Sequence, residues 1–324
     1  MLAYEKAAAF LAGLTRRRSR RPRDLQVEFT NVCDWHCGFC LRRENGAPER
    51  HMSDEVVAAL ARNLDGVRHL GLCGWGETLL HPRLLESIAA FRTAAPRTKL
   101  RLTTNGEGLT PELVRELAQL GVAAVSLSLD AVDGEAGTGH PASAKTLANL
   151  RAFADARRGS QLRLVMQTTM RPGAADQIAA VVELAGRTGV DIVNLLRLDT
   201  GFTTGVARAG PDEEIAIIHA ARRAAKGRTR VLAINAPSWP LRLATHGDRL
   251  CLRSLFHAYI DVDGNVTPCC RLRSVTFGNL TETPLIDIWR SPEFRRFFAD
   301  PPNACRQCDI FTGEQKPAGR DILG

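Results

Sequence analysis

The stretch NVCDWHCGFC, residues 31–40, places three cysteines within eight positions. Cys33, Cys37 and Cys40 form a CxxxC pattern and a CxxC pattern that share the middle cysteine. Thiolates at this spacing reach three corners of a cubane iron–sulfur cluster, and the fourth iron can then take a substrate or cofactor. A structural zinc site is the alternative. It needs four closed ligands, and His36 is the candidate for the fourth.

From residue 25 to residue 198, short apolar segments typical of strands alternate with segments of helical periodicity. Strands are predicted at 25–30, 69–74, 99–106, 123–130, 162–170 and 191–198, and helices at 53–64, 82–94, 111–121, 143–158 and 174–189. Five β-then-α steps closed by a sixth strand predict an α/β fold with parallel strands, either an open doubly wound sheet or a barrel.

Polar clusters fall where these strands end. They are the cysteines, GWGET (74–78), TTNG (103–106), SLSLD (126–130) and QTTM (167–170). Ligands of parallel α/β folds bind at the carboxyl ends of the strands, so these polar clusters are expected to lie together around one opening, the mouth of the site. Arg197, Asp199 and Gln167 also lie near this expected mouth, but their spacing assigns no role.

With these motifs the chain resembles the radical S-adenosylmethionine (SAM) enzymes from about residue 24 to residue 310. The family carries CxxxCxxC with an aromatic residue before the last cysteine, here Phe39. The resemblance implies a partial (β/α)6 TIM-like barrel. It also implies a [4Fe–4S] cluster on the three cysteines, with SAM bound to the open iron.

The resemblance also indicates which residues contact SAM. GWGETLLHP (74–82) is similar to the Gly-Gly-Glu segment that holds the SAM amino group, with Trp75 at the second position, then Gly76 and Glu77. SLSLDA (126–131) resembles the strand whose serine, here Ser128, approaches the ribose or carboxylate. TTNG resembles the third-strand segment and brings in Asn105.

Simpler interpretations of the same residues remain open. Ser128 and Asp130 could cap the next helix. Glu77 could be a surface carboxylate, and Asn105 before Gly106 is typical of a plain turn.

A second set of cysteines lies near the C-terminus. Cys251, Cys269, Cys305 and Cys308 resemble the SPASM/twitch extension of the family in the form with one auxiliary [4Fe–4S] cluster, which four thiolates ligate fully. A zinc ribbon is the alternative. Residues 257–270 predict a hairpin around Asp-Gly, and 285–300 predict a helix.

Two of the 9 cysteines remain. Cys73 ends a predicted strand and is interpreted as a small core residue. Cys270 adjoins a predicted ligand. It is either an inert neighbour or the donor of a hydrogen atom to a substrate radical.

The expected organisation is a basic N-terminal arm (1–23), a radical SAM partial barrel (24–200), a linker and bridging region (201–250) and the auxiliary-cluster domain (251–324). The net charge of +8 owes most to arginines between Arg16 and Arg23, which favours a solvated helix end over a nucleic-acid partner. No apolar run reaches the roughly 18 residues that a membrane span needs. At the N-terminus the apolar stretch precedes the arginines, which is the reverse of a secretory signal peptide, so a cytoplasmic protein is expected.

The resemblance implies reductive cleavage of SAM to a 5′-deoxyadenosyl radical, with flavodoxin or ferredoxin as electron donor. Similar enzymes with one auxiliary cluster are the aminoglycoside-pathway epimerases and dehydrogenases. We therefore expect a small sugar-like substrate (aminoglycoside or aminocyclitol). Epimerisation with Cys270 as hydrogen donor is favoured over dehydrogenation of a secondary alcohol with the auxiliary cluster as electron acceptor.

Two other functions stay open. The first is modification of a ribosomal peptide, although about 24 residues before the first strand are too few to build a leader-binding domain. The second is a non-enzymatic iron–sulfur protein that binds RNA or transfers electrons.

Overall fold

The computed structural model describes residues 19–40, 42, 47–132, 142–198, 207–234, 255–302 and 305. Within them lies a sheet of nine strands: β1 (Asp24–Val27), β2 (His69–Leu72), β3 (Lys99–Thr104), β4 (Ala124–Ser128), β5 (Arg163–Met170), β6 (Ile192–Arg197), β7 (Arg230–Ile234), β8 (His257–Ile260) and β9 (Val266–Thr267). The helices are α1 (Asp54–Arg62), α2 (Leu84–Ala94), α3 (Pro111–Gln119), α4 (Ala144–Ala156), α5 (Ala175–Arg187), α6 (Pro211–Ala224), α7 (Leu285–Arg290) and α8 (Pro292–Ala299).

The strand order is β7-β6-β5-β4-β3-β2-β1-β8-β9. All neighbouring strands are parallel except β8 and β9, which form the predicted antiparallel hairpin. The predicted α/β class with parallel strands is confirmed. None of the described helices is long and apolar enough to span a bilayer.

Local sequence explains where the helices begin. The hydroxyls of Ser53, Thr110 and Ser143 accept hydrogen bonds from backbone N–H groups in the first turns of α1, α3 and α4. Pro111 occupies the first turn of α3, where a missing N–H costs nothing.

The two faces of the sheet differ chemically because successive side chains of a strand point to opposite sides. The outer face packs against the helices, and it includes the fully buried Leu25, Val27, Leu70 and Leu72. We call the opposite side the inner face. It carries small and polar residues: Gln26, Glu28, Cys73, Thr103, Ser126, Ser128, Gln167, Asn194 and Tyr259.

The fold differs from the expected organisation in three places. The region predicted as a linker contains α6 and β7, and β7 extends the sheet beside β6. Strand β8 is more than a hairpin arm, because it pairs in parallel with β1. The helix predicted at 285–300 is two helices, since Ser291 is extended before Pro292 and cannot continue the first.

Candidate active site

The three N-terminal cysteines lie on one loop that follows β1. Cys33, Cys37 and Cys40 are all half-buried, and the backbone N–H of Cys40 donates to the carbonyl oxygen of Cys37 at 3.1 Å. Burial raises the pKa of Cys33, and it raises the pKa of Cys37 to about 12, with the negative charge of Cys40 as the next cause. His36, the candidate zinc ligand, is exposed.

The cysteine loop offers three thiol donors to a metal centre. Within the described ranges, no group of three or more His, Cys, Asp or Glu side chains is placed to hold a single metal ion. A single zinc draws thiolates to about 2.3 Å from one centre. A cubane instead spreads its cysteine ligands over separate irons, so three thiols on one short loop fit it.

The GWGE segment, residues 74–77, packs closely against the backbone of residues 28–32, which precede the cysteine loop. A Cβ at Gly74 would lie 2.7 Å from Glu28 Cα, and one at Gly76 would lie 2.6 Å from the Val32 carbonyl oxygen. Only glycine fits both places without a shift of backbone. The N–H of Glu77 donates to the same Val32 oxygen at 2.8 Å.

Glu77 is a buried carboxylate, so its interpretation as a surface group is wrong. Its Oε1 accepts from the backbone N–H of Leu79 at 2.9 Å, and its Oε2 accepts from that of Asn105 at 2.6 Å. Burial raises the pKa of Glu77, and these hydrogen bonds oppose the rise.

Asn105 links Glu77 to the cysteine loop. Its Nδ2 donates to Asp34 Oδ1 at 2.7 Å, and its Oδ1 accepts from the N–H of Glu107 at 2.9 Å. The second bond is the turn expected from Asn-Gly. Contact of Asn105 with SAM therefore stays a prediction, and the structure gives the side chain a bridging role.

Ser128 is the last residue of β4, and its side chain lies on the inner face. The strand register places two further polar residues next to it in a line across the sheet. Ser128 pairs with Gln167 of β5, and Gln167 pairs with Asn194 of β6. All three side chains are half-buried, and none makes a hydrogen bond to another described residue. We call Ser128, Gln167 and Asn194 the polar row.

The cap interpretation of Ser128 and Asp130 is wrong, because Ser143 caps α4. The Oδ1 of Asp130 instead accepts from the N–H of Thr169 at 2.7 Å, which ties the end of β4 to β5.

Three of the predicted C-terminal residues are described. Cys269, Cys270 and Cys305 are half-buried, and the predicted ligands Cys251 and Cys308 lie outside the described residues. Cys270 lies near Tyr259, whose pKa is raised well above its ordinary value, first by burial and then by the charges of Glu28 and Cys270. Cys73 is half-buried on the inner face rather than a member of the apolar core.

Sequence reasoning missed the pair of Glu28 and Arg273. Glu28 is fully buried, and Arg273 Nη1 donates to its Oε1 at 2.8 Å. Burial raises the pKa of Glu28, and Arg273 opposes the rise. A glutamate inside the otherwise strand-like LQVEFT was the available signal.

Arg197 does not line the mouth where it was expected. It is buried on the outer side and its Nε lies 2.8 Å from Oε1 of Glu214 in α6. Asp199 lies outside the described residues.

Comparisons with known proteins place this geometry in a family context. The sequence pattern of the Radical SAM superfamily matches residues 27–196, and that of the SPASM iron–sulfur cluster-binding domain matches residues 251–309. The first domain implies the SAM-binding [4Fe–4S] cluster, and the second implies auxiliary iron–sulfur clusters.

The chain is 27% identical to an AdoMet-dependent heme synthase of Methanosarcina barkeri over 92% of its own length and 90% of the relative. It is 28% identical to a PqqA peptide cyclase of Streptomyces rochei over 83% of this chain and 75% of that one. A structural neighbour is Streptococcus suis SuiB bound to precursor peptide SuiA, with a TM-score of 0.69 and 16% identity over 97% of this chain and 78% of that chain. This likeness confirms the barrel fold.

Proposed function

We propose, since this chain belongs to the radical SAM superfamily, that it removes a hydrogen atom from a carbon of a small hydroxyl-bearing substrate of the aminocyclitol or aminoglycoside type. The reduced cluster, when bound, supplies the electron that cleaves SAM to methionine and a 5′-deoxyadenosyl radical. The protein binds and orients both molecules and excludes water.

We assign the residues that hold these groups as follows. Cys33, Cys37 and Cys40 ligate the SAM cluster, and the SAM-binding residues are Trp75, Gly76, Glu77, Asn105 and Ser128. The auxiliary cluster is ligated by Cys251, Cys269, Cys305 and Cys308. The buried carboxylate of Glu77 supports this assignment, since an ammonium group would gain most from a charge held in a site with little water.

The polar row is the observation that carries the substrate class. Beyond Ser128, which is assigned to SAM, Gln167 and Asn194 offer the substrate uncharged donors and acceptors that are half-buried and have no partner among the described residues. Amides and hydroxyls pair readily with ring hydroxyls and amines, and such groups usually find a partner when they are enclosed. A hydroxyl-rich ligand would supply those partners.

Cys270 supports epimerisation over dehydrogenation. Its thiol is half-buried and close enough to Tyr259 of the inner face for its charge to help raise the pKa of that phenol. A hydrogen atom from its Sγ to the opposite face of the substrate radical would invert the carbon and leave a sulfur radical. One electron from the ferredoxin- or flavodoxin-type donor and one proton would restore the thiol. Dehydrogenation would instead send the electron of the substrate radical to the auxiliary cluster and release a proton.

Peptide modification is the second candidate. It is favoured by the likeness to a PqqA peptide cyclase and by the fold shared with SuiB, which was solved with a precursor peptide. A peptide would meet the polar row with its backbone amides.

The test is anaerobic incubation of reconstituted protein with SAM, a reductant and candidate substrates in D₂O. The panel holds aminoglycosides and aminocyclitols, a PqqA-type peptide and a heme precursor. Epimerisation gives an aminoglycoside product of unchanged formula that carries one solvent deuterium. A product lighter by two hydrogens indicates the dehydrogenase, and turnover of only the peptide or the heme precursor contradicts the proposed substrate class. Absence of 5′-deoxyadenosine with every compound would leave an electron-transfer or RNA-binding role.

A further inference from the structure

Glu28, Trp75 and Arg273 form a contact that we call the clamp. Arg273 forms an ion pair with the carboxylate of Glu28: Nη1 donates a hydrogen bond to Oε1 at 2.8 Å, and Nη2 lies 2.6 Å from Oε2 as a charge contact outside hydrogen-bond geometry. The backbone N–H of Trp75 donates to the same Oε1 at 3.2 Å. The guanidinium carbon of Arg273 stands 4.8 Å from the centre of the Trp75 ring.

The clamp joins three segments that carry chemistry. Glu28 follows β1 and precedes the loop of Cys33, while Trp75 comes two residues before Glu77. Arg273 follows Cys269 and Cys270 within the same turn-rich segment after β9. One buried charge pair therefore ties the N-terminal cysteine loop, the GWGE segment and the auxiliary-cluster segment together.

Each part depends on the others. The Glu28 side chain is fully buried and that of Arg273 is 14% exposed, so either charge would be costly alone. A charge-assisted hydrogen bond from the guanidinium to the carboxylate is stronger than a neutral one, and the face of an indole ring attracts the guanidinium. Trp75 also explains the departure from the family's second glycine, because a glycine there would give Arg273 no ring to lie on.

We infer that the clamp holds the segment of Cys269 and Cys270 in a fixed position against the GWGE segment, with Trp75 and Arg273 as positioning residues. This inference requires no particular substrate. Its consequence is that the thiol of Cys270 and the cysteine loop keep one relative placement during turnover.

Hydrogen–deuterium exchange of the reconstituted holoprotein tests the inference. Arg273→Met removes the guanidinium and strands the Glu28 charge, and we expect amide exchange in residues 266–273 to rise at least tenfold. Glu28→Gln added to Arg273→Met removes the stranded charge and should restore most of the protection. Trp75→Leu keeps the backbone N–H and should raise exchange less. Arg158→Met changes an exposed arginine in the turn after α4; it is the control and should leave amide exchange in residues 266–273 unchanged.

The clamp is overturned by wild-type exchange in both Arg273→Met and Trp75→Leu, or by a double variant that exchanges as fast as Arg273→Met. If Arg273→Met does not fold, a double variant that folds supports the stranded charge. A double variant that also fails, together with unchanged exchange in Trp75→Leu, overturns it. Iron per chain is measured in each sample to separate cluster loss from loosening. Since no substrate is needed, failure of the aminoglycoside assay would contradict the proposed function and leave this result standing.

Discussion

The Oε2 atom of Glu77 lies 2.6 Å from the backbone nitrogen of Asn105. Asn105 in turn reaches the cysteine loop, where its Nδ2 lies 2.7 Å from Oδ1 of Asp34. The proposed SAM-binding carboxylate and the proposed cluster loop are thus parts of one hydrogen-bonded frame. A ligand that touches both would find its two contacts already positioned before it binds.

Glu77→Gln should weaken SAM binding while the protein stays folded. Glutamine keeps an oxygen for one of the two N–H groups but loses the charge, and a hydrogen bond to a charged group contributes about 1.5–3 kcal/mol, roughly a 10- to 150-fold change in Kd. Anaerobic calorimetry of the reconstituted protein measures the change. Glu116→Gln, on an exposed position of α3, is the matched control. Equal affinity for both variants would remove Glu77 from the SAM site.

Cys270→Ala should abolish the epimerised product while 5′-deoxyadenosine continues to form. Alanine lacks the S–H bond that supplies the hydrogen atom, whereas cleavage of SAM does not use that bond. Mass spectrometry of product and nucleoside in the same reaction measures both. Cys73→Ala removes a half-buried thiol of the inner face and should retain product formation. Loss of product in Cys73→Ala alone would transfer the role to that thiol.

Gln167→Leu and Asn194→Leu should each raise KM for the substrate. Each removes the hydrogen bonds that the side chain would make to the substrate, and one such bond contributes about 0.5–1.5 kcal/mol, roughly a two- to thirteenfold effect on KM. Steady-state kinetics under anaerobic conditions gives the values. Gln161→Leu lies exposed before β5 and should leave KM unchanged. An unchanged KM in both row variants would place the substrate elsewhere.

Arg197→Met should destabilise the protein by about 3–5 kcal/mol, because it strands the fully buried Glu214 carboxylate. The double variant Arg197→Met with Glu214→Leu replaces both charges by apolar groups and should recover most of the loss. Anaerobic denaturant titration of cluster-loaded protein measures the free energy of unfolding. A double variant no more stable than Arg197→Met would show that packing, rather than the charge pair, holds α6.

His81 should make stability depend on pH. Burial lowers the pKa of His81, whose Nε2 lies 3.0 Å from the Met52 carbonyl oxygen and whose Nδ1 accepts from the N–H of Arg83 at 3.2 Å. The ring is therefore neutral, and a proton on Nδ1 would break the bond to Arg83. The ring also stacks on Phe29, with 3.9 Å between ring centres.

The sign follows from the lowered pKa. Above about 6.5, the value for an unfolded chain, neither state holds the extra proton. Below it the unfolded state is protonated first, so the free energy of unfolding falls until the pH reaches the lower folded pKa. The unfolding midpoint of the wild type should drop between pH 7.5 and 5.5, and that of His81→Gln should drop less. Parallel pH dependence in both proteins would contradict the role of His81, since acid damage to the clusters is common to both.

Periodicity predicted the repeating part of the fold. The six predicted strands and five predicted helices of the first 200 residues are present, with ends displaced by a few residues. Helix α6 and strand β7 were missed because the glycine- and threonine-rich residues 200–210 resemble a linker. The linker prediction was extended past Pro211, where α6 begins. The proline followed by three acidic residues is a helix-start signal, but the linker-like composition before it was given more weight.

Contacts between distant segments could not be predicted. Nothing near Glu28 in the sequence indicates that its partner is Arg273, and nothing in HAYI indicates a parallel pairing with β1. Charge pairs and strand neighbours across such separations depend on the finished topology. The cysteine motifs were recognisable because a metal cluster imposes short, fixed spacings along the chain.

Strand β8 sits beside β1 although Asp24 pairs with His257, near opposite ends of the described chain. During synthesis on the ribosome, the edge of β1 that pairs with β8 therefore has unpaired N–H and C=O groups until most of the polypeptide has emerged. An open edge of this kind invites pairing with other nascent chains. Co-translational folding of the first half alone would leave the cysteine loop attached to an unfinished sheet, so completion of this late pairing sets when the loop acquires its final surroundings.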